Sequence, residues 1–144
     1  MKTTNLFLIL VFLFANTECK KSDLNQDNSL LVGVWTFTAI QNVKTNQIIN
    51  YPDSIQKKES ITFSDSGSVL RFGGVCNEGW GTYSTNKNNI NISPISTTLI
   101  LCKYIIWEDD LRNNLESAFM YTIYADQLII RSSGTFNLIF EKKQ

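Results

Sequence analysis

No histidine occurs anywhere in the 144 residues. Histidine is the usual general base near neutral pH and the commonest metal ligand. Its absence removes Ser-His-Asp, Cys-His and His-metal chemistry together, leaving only carboxylate, Lys or Tyr catalysis. The expectation is therefore a non-enzyme, with no catalytic residue, no cofactor and no metal. An excess of one charge sign is missing too, since thirteen Lys and Arg balance thirteen Asp and Glu. Such a chain has no electrostatic grip on DNA, RNA or anionic lipid, so no nucleic acid is expected as a partner. Internal repeats and low-complexity tracts are absent as well. With 43% hydrophobic and 18% charged residues, the composition is that of one ordinary globular domain.

Long apolar runs are scarce, and the one present is informative. Leu6 to Ala15 is unbroken, follows Lys2, and is too short to span a bilayer as a mature helix. It fits the hydrophobic region of a secretory signal, and residues 1–18 are read as a signal peptide. Cys19 comes directly after, and a cysteine in that place resembles the acylated first residue of a bacterial lipoprotein. The likeness departs at Asn16-Thr17-Glu18, where lipoprotein signals carry a small residue before the cysteine. Ordinary secretion with a free Cys19 is the alternative. The cysteine count agrees with an anchor, because Cys76 and Cys102 can pair and leave Cys19 over. Residues 19–30 are polar and aperiodic, and read as a tether between anchor and folded domain. The expected location is the bacterial cell envelope, as an outer-membrane lipoprotein or otherwise periplasmic or secreted, with the membrane met through the lipid.

The remaining residues, 31–144, read mainly as strands. Val32–Ile40 is rich in residues that favour a pleated surface. Ser60–Phe63 and Ser68–Phe72 flank Asp-Ser-Gly, a hairpin signal. Gly79–Ser84 and Asn89–Ser93 flank Thr-Asn-Lys-Asn-Asn, and Phe119–Ala125, Gln127–Ser132 and Thr135–Glu141 form a closing meander. One segment breaks the pattern. Tyr104, Trp107, Leu111, Leu115 and Ala118 recur at steps of three and four, with Glu108, Asp109, Asp110, Arg112 and Asn113 between them. That spacing predicts an amphipathic helix of about four turns, with the acidic residues on the outer side. Seven or eight short strands with one helix predict a mainly β fold: a small antiparallel β-barrel or strongly bent sheet capped by that helix.

The order of motifs then carries a resemblance. Gly-Val-Trp, Ile-Thr-Phe, Val-Cys-Asn-Glu-Gly-Trp-Gly-Thr-Tyr, Ile-Ser-Pro-Ile-Ser-Thr-Thr, a lone Cys, and Trp-Glu-Asp-Asp-Leu-Arg-Asn-Asn-Leu follow one another. This series, from about Leu31 to Phe140, resembles the META domain, a family that includes HslJ-like envelope lipoproteins. The family's positions fall on Cys76, Asn77, Gly81, Tyr83, Thr97 or Thr98, Cys102, Glu108 and Leu115. Val75 stands where the family usually has glycine, which bears on the local backbone more than on the fold. The resemblance implies a non-enzymatic envelope protein, associated in some members with heat stress or antibiotic tolerance, and supplies no catalytic residues.

Within that frame the stretch Gly73–Tyr83 holds four glycines and two aromatics. Its glycines allow positive φ, bulges and close backbone approach in a tightly bent barrel. A phosphate cradle would need such a loop to open a helix, and here it lies between strands. Cys76 and Cys102 are spaced to join a strand to the helix entrance, and an oxidising compartment favours a disulfide, worth roughly 3–4 kcal/mol by chain entropy. Two buried thiols are the alternative. Glu78 is expected at the surface. Trp80 is read first as core and second as a partner contact.

Three functions follow as expectations. The first is a lipid-anchored, non-catalytic protein-binding module that inhibits a secreted protease. Its binding loop would present Val75, Asn77, Glu78 and Trp80, held by Cys76 and Cys102. This reading draws on a looser resemblance to potempins, small lipoproteins of similar size that inhibit proteases of their own producer. The second is a META/HslJ-like stress or envelope-maintenance lipoprotein without a single enzyme target. The third is a small-ligand carrier, because lipocalin-like barrels also open with Gly-x-Trp, and it would require a deep apolar cavity.

Overall fold

A computed structural model describes residues 28–143 of the chain. The signal peptide, Cys19 and the tether up to residue 27 lie outside the described residues. Ten strands and one helix follow in order: β1 (Gly33–Asn42), β2 (Ile48–Asn50), β3 (Ser60–Ser64), β4 (Val69–Gly73), β5 (Glu78–Asn86), β6 (Asn89–Ile92), β7 (Ser96–Thr97), α1 (Ile105–Glu116), β8 (Ala118–Tyr124), β9 (Gln127–Ser132) and β10 (Phe136–Lys142). Every pairing is antiparallel, and the path β10-β9-β8-β6-β5-β4-β3-β1 closes on itself because β1 also pairs with β10. The fold is thus a closed eight-stranded antiparallel barrel with a single helix, and β2 and β7 are short additions beside β1 and β5.

Alternation along the strands sets the interior. Trp35 and Phe37 of β1, Ile61 and Phe63 of β3, and Leu70 and Phe72 of β4 all point inward and are buried. Register slips between Phe37 and Ala39, so that both Ala39 and Ile40 are buried beyond the bulge. Leu111 and Leu115 anchor α1 to this core, each burial worth about 1.5–3 kcal/mol. Trp35, Tyr121 and the fully buried Phe37, Phe63, Phe72 and Phe140 fill the interior, so the deep apolar cavity that a carrier requires is not met among the described residues.

The turns refine the predicted boundaries. Asn86 pairs with Asn89, so the β5–β6 connection shrinks to Lys87 and Asn88, with Lys87 at φ 55°. Tyr124 pairs with Gln127, which moves Ala125 from strand to turn at φ 51°. Two-residue hairpins call for such left-handed residues. The strict alternation of direction divides the turns between two ends. Chain entry at Gly33 and the turns near residues 65–68, 87–88 and 125–126 share one end. The turns near residues 42–47, 74–77 and 133–135, with the segment 98–104, share the other.

Candidate functional site

The second of these ends carries the groups with unusual surroundings. Cys76 and Cys102 lie at disulfide distance, with Cα atoms 6.3 Å apart. The bridge ties the β4–β5 connection to the segment that leads into α1.

Beside it lies Glu108, 3% exposed on the first turn of α1. The helical spacing had placed Glu108 among the outer polar residues, and the structure corrects this. Its carboxylate accepts hydrogen bonds from the backbone N–H of Cys76 at 2.9 Å and of Asn77 at 3.1 Å. The Asn77 side-chain N–H donates to its other oxygen. Three donors thus stand in for a cation, which is how a carboxylate can be held out of water. Gly74 makes room: a Cβ there would collide with the Glu108 carboxyl group.

Asn77, also buried, continues the network outward. Its amide N–H donates to the Ile100 carbonyl at 3.0 Å, and its oxygen accepts from the Ile100 N–H at 2.7 Å and the Thr98 hydroxyl at 2.9 Å. The Thr98 N–H donates to the Glu78 carbonyl at 3.0 Å. Alternate residues 98 and 100 are therefore tied to the barrel. Leu99 and Leu101 between them are turned outward, at 94% and 91% exposed. Ile106 of α1 is exposed as well, and Ile105 lines a groove with both leucines.

The four residues proposed for the binding loop divide. Glu78 and Trp80 are exposed, Val75 packs half-buried against the core, and Asn77 is occupied within the network. Trp80 is 60% exposed and does not fill the core. Gly79, not Trp80, faces inward at the start of β5, where a Cβ would approach the Ser96 carbonyl oxygen to 2.5 Å. The parity of Gly79 and Gly81 was the sequence signal for Trp80's outward position. For Leu99 and Leu101 the signal was weaker, an apolar run that reads as core. A groove of about 530 Å³ lies against Trp80, Arg71, Thr62 and Glu78, and one of about 420 Å³ runs between residues 97–101 and α1.

One further acid is buried at this end. Glu59 is fully enclosed, and neither carboxyl oxygen has a hydrogen-bond partner among the described residues. Burial, and then the negative charge of Glu108, push its carboxyl up to about 8. The nearby Tyr51 hydroxyl offsets this only in part, and its own proton points to the Lys57 carbonyl at 3.5 Å. Burial beside Glu59 raises Tyr51 as well. Among the described residues no three His, Cys, Asp or Glu side chains group so as to hold a metal ion.

This disulfide-tied, glutamate-centred end is embedded in a sequence whose residues 28–144 match the META domain. The chain belongs to the META domain family. As a META domain it shares its fold with solved structures of low sequence identity. One is an NMR structure of a protein from Burkholderia xenovorans, 18% identical, with a TM-score of 0.65 over 81% of this chain and 86% of the other. A second is the crystal structure of a DUF4847 family protein from Bacteroides vulgatus, 14% identical, with a TM-score of 0.61 over 79% and 96%. No curated protein matches the sequence of this META domain.

Proposed function

We propose that this META domain is an exported, non-catalytic module that binds a protein through its disulfide-tied end, and that a secreted protease is the partner. The observation that carries the reading is the pair of outward leucines, Leu99 and Leu101, held over a filled barrel by a disulfide and a buried Glu108–Asn77 network. Isolated exposed leucines are common, but here a buried carboxylate is committed to fixing the segment that displays them. A segment fixed in advance loses little entropy on docking. Glu78 and Trp80 flank it as further contacts, while Val75 and Asn77 support from behind. The disulfide suits an oxidising compartment, in keeping with a signal peptide at residues 1–18 and an acylated Cys19 on the outer membrane.

The test is a titration of the mature chain from Lys20 into secreted metallo-, serine and cysteine proteases of its own producer, following residual activity. The expected outcome is stoichiometric loss of activity in one class. Unchanged activity throughout, or digestion of the domain, would leave the envelope-maintenance reading in its place.

A further inference from the structure

β7 pairs with β5 along one edge only, and the segment that follows continues the same edge. Residues 98 and 100 direct their backbone groups toward Glu78 and Asn77. Residues 98–102 carry no regular secondary structure, and the N–H and C=O groups of residues 99 and 101 are not part of these ties. No group among the described residues meets them. Beside this edge lies the groove of about 420 Å³, lined by Leu99, Leu101, Ile105, Asp109 and Arg112. Its volume falls within the usual range of specific binding pockets.

We propose that residues 97–101 form a docking edge for an extended peptide segment of the partner protein, added as a further strand in the groove beside α1. The proposal rests on the protein-binding reading above and names the chemistry of the contact. Two features select a polypeptide over a lipid surface. Inserted in hydrocarbon, the unmet backbone groups of Leu99 and Leu101 would stay unsatisfied at several kcal/mol each, whereas an added strand supplies their partners. In addition, the described chain enters the barrel at Gly33, at the end opposite this edge. An N-terminal anchor would then attach at the barrel end opposite this edge. The incoming strand would place alternate apolar side chains against Leu99, Leu101 and Ile105, with the Arg112–Asp109 ion pair at the rim.

The experiment uses the full chain purified from cells that export it. A phage-displayed library of random 12-residue peptides is selected on it, and enriched peptides are synthesised for calorimetry and amide hydrogen exchange. The expected result is peptides with alternating apolar residues that protect the Leu99 and Leu101 amides. The double variant Leu99→Ser, Leu101→Ser should weaken binding at least tenfold without changing the Tm, because both side chains are exposed. Failure to enrich any peptide, or protection elsewhere, would overturn the docking edge while leaving a protease complex free to form by another face. Co-sedimentation with phosphatidylethanolamine–phosphatidylglycerol vesicles, or self-association in the ultracentrifuge, that disappears in the double variant would overturn both the edge and the protein-binding reading.

Discussion

Two glutamates buried at one end of the barrel are held in different ways. Glu108 receives three N–H donors, whereas Glu59 receives none and its burial pushes the carboxyl up to about 8. A carboxyl raised from its ordinary value to about 8 is protonated in the fold and ionised in the unfolded chain over the interval between. Stability from this group is thus complete below about pH 4.5, declines as pH rises, and levels off above about 8. The decline should amount to roughly 3–5 kcal/mol. Glu59→Gln should remove it. Urea midpoints at pH 5 and pH 8 would show a large difference in the parent and a small one in the variant. Equal midpoints in the parent would mean that Glu59 is ionised with a partner.

At the scale of elements, a side chain takes over where the sheet stops. β7 has only two residues, yet the chain beyond it stays tied to the barrel because the Asn77 carboxamide both donates to and accepts from Ile100, as a neighbouring strand would. Asn77→Ala should therefore raise hydrogen exchange at the Ile100 amide at least tenfold while amides of β9 and β10 stay protected. It should lower stability by about 1–3 kcal/mol. If the Ile100 amide kept its protection, the disulfide alone would be holding the segment. α1 contributes in a similar double capacity, burying Leu111 and Leu115 while delivering Glu108 to the β4–β5 connection.

For the whole molecule, the disulfide acts through chain entropy. Cys76 and Cys102 are 26 positions apart, and closing that loop restricts the unfolded chain by about 3.5 kcal/mol. Reduction with dithiothreitol, followed by calorimetry, should lower the Tm by roughly 10–15 °C without abolishing the barrel. A shift of only a degree or two would indicate that the two segments stay together in the unfolded ensemble. Closure itself depends on the end of the chain, because β10 pairs with β9 on one side and β1 on the other.

The barrel class, the single helix and most strands were legible in the sequence, because period-two and period-3.6 patterns are local and each element buries one face. The META resemblance was legible for the same reason, being a fixed order of short local motifs. β2, with all three residues exposed, and β7, with two residues, offered no period to detect. The outward face of Trp80 was set by strand parity, which a stretch of glycines obscures. The buried positions of Glu59, Glu108 and Asn77 could not be read at all. A polar residue at a polar position of a helix or turn looks the same whether it meets water or a buried donor. Tertiary structure decided that, by bringing α1, the β4–β5 connection and residues 98–101 to one end of the barrel, where the partners that make burial tolerable come from three distant segments.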